Sequence, residues 1–120
     1  MTDKQESILI VDDEDTIRRI LYKKLSGDGY ECHLATNGEQ ALDEMRKSTI
    51  GLVILDIKMP GKSGLDLLPE IKTAYPDTQV LMATGTTDIN AAVQCMKYGI
   101  YDYVTKPFDL DEITFIVGRA

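Results

Sequence analysis

Five short apolar runs recur along this chain, each separated from the next by a longer stretch with apolar residues at helical spacing. The runs are Ile8 to Val11, Glu31 to Ala35, Leu52 to Leu55, Gln79 to Ala83 and Tyr101 to Val104. Short runs alternating with amphipathic stretches build βα units, in which each helix carries the chain back so that successive strands lie parallel. The first, third and fourth runs are nearly all Ile, Leu, Val or Met, the composition of central strands covered on both faces. Glu31 and His33 place the second run at one edge of the sheet, and Asp102 between two tyrosines places the fifth at the other.

The intervening stretches predict five helices. Their apolar faces are Ile17, Ile20, Leu21 and Leu25; Ala41, Leu42 and Met45; Leu67, Leu68 and Ile71; Ile89, Ala92, Val93 and Met96; and Ile113, Ile116 and Val117. Gly27 and Gly29 close the first helix, Pro76 follows the third, Asp88 caps the fourth, Gly99 ends it, and the fifth begins near Asp109. The 120 residues make one domain, 1–120, whose single core needs no disulfide or structural metal. The last helix stops at Ala120 after barely two turns, so a fragment of a longer protein is expected.

A formal net charge of -7 argues against direct nucleic-acid contact, because duplex affinity comes largely from Lys and Arg neutralising phosphates. Cys32 and Cys95 lack the spacing of a zinc site or redox pair and are read as reduced cysteines of a cytoplasmic protein. Residues 1–7 are polar, and no apolar run approaches the ~20 residues that span a membrane.

In a parallel sheet the C-terminal strand ends share one edge, and ligands of open α/β folds bind outside it. Asp12, Asp13 and Glu14 follow the first strand, Asp56 the third, Thr84 and Gly85 the fourth, and Thr105, Lys106 and Pro107 the fifth. Taken alone, the first group is read equally well as first-turn helix acids, Asp56 as a loop acid, Lys106 as a solvated lysine and Thr84 as a cap. Taken together, they converge. Crowded carboxylates require either a proton or a cation among them. Oxygen ligands without His or Cys suit Mg²⁺ or Ca²⁺. Because the acids come from two separate strand ends and not from one short loop, Mg²⁺ is the better fit, with room left for a phosphoryl group. Lys106 would then supply a point charge and Thr84 a hydroxyl donor.

The segments ILIVDDE, VILDIKMPGKSGLDLL, VLMATG and YDYVTKPF resemble, over essentially the whole chain, the receiver domains of bacterial response regulators. The resemblance implies a flavodoxin-like, doubly wound α/β fold with five parallel strands in the order 2-1-3-4-5 and five helices. It implies Asp56 as phosphoacceptor, with Mg²⁺ held by Asp13, Asp56 and the Lys58 backbone carbonyl, and by Asp12 through a water. Lys106 would pair with Asp56 at rest and then with the phosphoryl group, and Thr84 would move in to bond another phosphoryl oxygen. Tyr103 would follow as the switch aromatic, remodelling the face of the fourth helix, fifth strand and fifth helix. Its plain alternative is an edge-strand aromatic. Lys106-Pro107 would be cis. The donor would be a sensor histidine kinase, the output a C-terminal domain outside this sequence, and the phosphorylated form a possible homodimer. Such a domain promotes its own phosphorylation and dephosphorylation but has no separate substrate. Lys58 and Thr86 stand where the family varies.

Three other readings compete with this one. A phosphatase of the haloacid-dehalogenase type also carries an aspartyl nucleophile after its first strand, and Asp13, Glu14 and Asp15 supply its D-x-D beginning. Ile17 stands where that family has Thr or Val, and the chain is short for its core and cap. A flavodoxin would cradle a flavin phosphate with Thr84, Gly85, Thr86 and Thr87, but the acids after the first strand would repel it. A receiver-shaped binding module without phosphorylation is opposed by the intact set of acids, Thr84 and Lys106.

Overall fold

The computed structural model describes residues 7–59, 61, 63–85 and 89–119. Five strands form one parallel sheet: β1 (Ser7–Val11), β2 (Glu31–Ala35), β3 (Leu52–Asp56), β4 (Gln79–Thr84) and β5 (Asp102–Thr105). Their order is β2-β1-β3-β4-β5, so both expected edge strands lie at the edges. In register, Ile10 of β1 faces Leu34 on one side and Ile54 on the other, Ile54 faces Leu81, and Leu81 faces Asp102. The fifth strand sits one residue later than the apolar run suggested. Tyr101 donates its N–H to the Val80 carbonyl (2.8 Å), but paired register begins at Asp102.

Five α-helices connect and follow the strands: α1 (Asp15–Gly27), α2 (Gly38–Lys47), α3 (Gly64–Ala74), α4 (Ile89–Cys95) and α5 (Leu110–Arg119). Several begin on side-chain caps. Asn37 accepts from the Gln40 N–H, Ser63 from the Asp66 N–H, and Asp109 from the Asp111 N–H, each satisfying a first-turn donor.

Strand alternation sorts the core into two layers. Ile8, Ile10, Leu52, Ile54, Leu81 and Val104 pack with Leu21 and Leu25 of α1 and with Ile113 and Val117 of α5. Leu9, Val11, Val53, Leu55, Val80 and Met82 pack with apolar residues of α2, α3 and α4. This doubly wound arrangement brings the C-terminal strand ends together along one edge.

The fourth helix departs from the expected face. Ala92 and Cys95 are buried, whereas Val93 and Met96 are about half exposed, at 47% and 50%. Small side chains let the backbone approach the sheet, which rotates the larger ones outward. Met96 lies beyond α4, in a 3-10 turn (Met96–Tyr98) that Gly99 ends in the left-handed conformation (φ 84°). Ile20 is likewise exposed, at 41%. The first helix ends at Gly27 with Asp28 as its cap, and Gly29 follows in the left-handed region (φ 101°), as expected. Asp88, the expected cap of α4, lies outside the described residues. Cys32 and Cys95 are free, one in β2 and the other in α4.

Candidate functional site at the strand ends

The three aspartates singled out from the sequence meet. One carboxylate oxygen from each of Asp12, Asp13 and Asp56 lies within 4.8 Å of the other two. Asp12 follows β1 and extends its pairing with β2 by donating its N–H to the Ala35 carbonyl (3.1 Å). Its Oδ1 accepts the Glu14 N–H at 2.9 Å, which turns the chain into α1. Asp12 and Asp56 are 2% and 5% exposed, while Asp13 faces solvent.

Lys106 reaches into this group from the end of β5. Its Nζ lies 2.9 Å from Asp12 Oδ2, 3.4 Å from Asp56 Oδ1 and 3.5 Å from Glu14 Oε2. The Lys106 N–H donates to the Thr84 carbonyl (2.8 Å), continuing the β4–β5 ladder past its last residue pair. Lys106-Pro107 is cis, as the resemblance implied.

Burial in this corner pushes the Asp56 carboxyl up to about 6, and the charge of Asp12 adds to the rise. Lys106 and the Lys58 N–H, 3.4 Å from Asp56 Oδ1, pull it part of the way back. Burial works against the Lys106 charge, but the hydrogen bond and charge of Asp12, with the charges of Asp56 and Glu14, outweigh it and raise its pKa. A poorly solvated carboxylate beside a firmly charged ammonium is suited to attack an electrophile whose oxygens the ammonium can take over.

Thr84 is fully buried, and its hydroxyl donates to the Gly85 carbonyl at 3.0 Å. By strand alternation it follows Val80 and Met82 toward the layer of α2, α3 and α4, and half-buried Tyr103 packs on that same layer. Thr84 and Tyr103 therefore share one face of the sheet. Thr86 lies outside the described residues.

One neighbour was not legible in the sequence. Arg18 of α1, its side chain 12% exposed, donates from Nη1 to the Asp12 carbonyl at 2.7 Å and from Nη2 to the Asp15 carboxylate. An arginine five residues beyond an acid pair, near the start of a helix, is the signal that marks it.

The model of the response regulator receiver domain family matches residues 8–117. The chain belongs to this family. It is 42% identical over 113 residues to the regulatory protein AtoC of Escherichia coli K12, covering 94% of this chain and 24% of that protein. It is 40% identical over 111 residues to the DNA-binding transcriptional regulator NtrC of Klebsiella pneumoniae, covering 92% and 24%. The chain thus spans about a quarter of the length of these curated relatives. Among solved structures it is similar to the receiver domain of NtrX from Brucella abortus, with TM-score 0.90, 38% identity, and 93% and 95% of the two chains covered. A response regulator receiver protein from Pseudomonas putida gives TM-score 0.91 at 30% identity, covering 99% and 100%.

The expected flavodoxin-like fold, strand order and family are therefore borne out. Membership sets aside the phosphatase and flavodoxin readings. Receiver domains are the phosphoacceptor modules of two-component response regulators, and this chain is one by sequence and fold. Among the described residues no helix is long and apolar enough to cross a membrane.

Proposed function

We propose that this receiver accepts a phosphoryl group on Asp56 from a phosphohistidine of a sensor histidine kinase, in a Mg²⁺-dependent reaction. The observation that carries this reading is the meeting of a buried Asp56 with Asp12, Asp13 and Lys106 outside the strand ends. A carboxylate oxygen of Asp56 attacks phosphorus, the P–N bond to the kinase imidazole breaks, and the electron pair leaves on nitrogen. Lys106 shifts its ammonium from Asp56 toward a phosphoryl oxygen. The Thr84 hydroxyl gives up the Gly85 carbonyl for another. Attack by water on phosphorus later returns the aspartate, so the domain promotes both its own phosphorylation and its reversal.

A divalent cation fits the residues present. The donor set is all oxygen, three carboxylates offer atoms within 4.8 Å, and Asp12 and Asp56 are too buried for water alone to screen them. Asp13, Asp56 and the Lys58 backbone carbonyl would hold Mg²⁺ directly, with Asp12 acting through a water. When bound, Mg²⁺ supplies positive charge that offsets the carboxylates and the incoming phosphoryl oxygens.

The acyl phosphate is a dianion in place of a monoanion, a charge change large enough to bias a two-state element. The shared face of Thr84 and Tyr103 supports β5, with α4 and α5 beside it, as that element. Val93, Met96, Tyr98 and Phe115 expose apolar surface on α4, the 3-10 turn and α5, which supports pairing of phosphorylated copies there. A cytoplasmic location, a longer regulator with a C-terminal output region, and no nucleic-acid contact by this acidic domain complete the reading.

The test is intact-mass analysis after incubation with acetyl phosphate. A single phosphate adduct that requires Mg²⁺, disappears with EDTA and is released by hydroxylamine supports an acyl phosphate. No adduct at any Mg²⁺ concentration overturns the reading and leaves a receiver-shaped interaction module.

A further inference from the structure

We propose that Arg18 is a positioning residue for the cation site, fixing the Asp12–Asp13 peptide so that both carboxylates stay within reach of Asp56. The inference rests on the Mg²⁺-dependent phosphoacceptor reading above. Arg18 touches no reacting atom. Its Nη1 donates to the carbonyl of Asp12 at 2.7 Å, and that carbonyl belongs to the same rigid peptide as the Asp13 N–H. Rotation of this peptide would swing the Cα–Cβ bond of Asp13. Asp13 is exposed, so its carboxylate depends on the backbone for its place.

Three bonds pin the acidic turn. The Asp12 N–H is held by the Ala35 carbonyl, Asp12 Oδ1 by the Glu14 N–H, and the Asp12 carbonyl by Arg18. The first fixes the Asp12 backbone, and the second closes a turn across Asp13 from its two neighbours. The third holds the Asp12–Asp13 peptide itself. The guanidinium spans two acceptors at once, the carbonyl and the Asp15 carboxylate, which a lysine's single ammonium cannot do in the same planar geometry.

The two cations divide the work. Lys106 bonds carboxylate oxygens of the acid group and so competes with a metal for them. Arg18 adds positive charge beside the same acids but takes a carbonyl oxygen, leaving the three carboxylates free to ligate.

The test is a Mg²⁺ titration of the wild type, R18M and R18K, followed by amide chemical shifts of residues 12–14 and 56–58. Phosphoryl acceptance at saturating Mg²⁺ is the second readout. R18M is expected to raise the Mg²⁺ midpoint about tenfold, the scale of losing a group that orients a metal ligand. R18K should lie between R18M and the wild type, and excess Mg²⁺ should restore acceptance in both. A lower melting temperature with an unchanged Mg²⁺ midpoint would show a merely structural arginine and overturn the proposal. Should R18M not fold, R18K decides alone: a midpoint raised severalfold supports the proposal, and one equal to the wild type overturns it. A wild type that shows neither Mg²⁺-dependent shifts nor an adduct overturns the underlying reading itself.

Discussion

The Lys106 ammonium stands closer to Asp12 than to Asp56, at 2.9 Å against 3.4 Å. The lysine is therefore shared between two strand ends and not committed to Asp56 alone. Lys106→Met leaves two buried carboxylates without their cation. Its expected cost is roughly 2 kcal/mol of stability in the metal-free protein, below the value for a fully buried pair because Lys106 is partly open to water. Phosphoryl acceptance should slow at least tenfold. Chemical denaturation and the rate of adduct formation check the two effects separately.

Protonation of Asp56 is linked to folding. Burial, and then the charge of Asp12, lift its pKa in the folded state to about 6, above the ordinary range of an unfolded aspartate. The folded state thus prefers the protonated form. The resulting stabilisation is complete below the ordinary aspartate range and is lost as pH rises through about 6. Without Mg²⁺, Asp56→Asn should become more stable relative to the wild type between pH 4 and pH 8, by roughly 2–3 kcal/mol. Parallel stability profiles for the two proteins would contradict this.

Gly64 begins α3 against the end of β3. A Cβ there would overlap the Asp56 carbonyl oxygen and lie 2.9 Å from its carbonyl carbon, while the Gly64 N–H donates to Ile57 at 2.8 Å. Backbone cannot yield as a flexible side chain can. Gly64→Ala is expected to cost roughly 1–3 kcal/mol, as overpacking does. It should also displace Asp56, so that phosphoryl acceptance falls even where the protein remains folded at the assay temperature.

On the proposed reading, replacing Thr84 should separate acceptance from transmission. Among the described residues its buried hydroxyl bonds its neighbour's carbonyl, and Thr84→Val keeps the shape of the side chain while removing the donor. Beryllofluoride should still bind at Asp56 in this variant. The amide shifts of Tyr103 and Val104, expected to move on binding in the wild type, should stay in place. Equal shifts in both proteins would remove Thr84 from the switch.

Strand positions and the converging site were legible because periodicity and residue type suffice for them. A buried strand such as Val53-Ile54-Leu55 has no polar residue to confuse the assignment, and parallel pairing then forces Asp12, Asp56, Thr84 and Lys106 to one edge. Rotation of a helix about its own axis is a weaker signal. The stripe of Ile89, Ala92, Val93 and Met96 reads as one face, yet close packing on the small Ala92 and Cys95 turned Val93 and Met96 to solvent. The Arg18 bond to Asp12 left only the faint trace of an arginine five residues past the acid pair, since a side chain reaching a main-chain carbonyl requires no matching residue type.

The most direct test of the central claim is to locate the phosphoryl group itself. After reaction with acetyl phosphate and Mg²⁺, borohydride reduction converts an aspartyl phosphate to homoserine, which peptide mass spectrometry can place in the chain. The account predicts homoserine at position 56 and at no other aspartate, with none in Asp56→Asn. Homoserine at position 12 or 13, or none anywhere in a protein that carries the adduct, would contradict it.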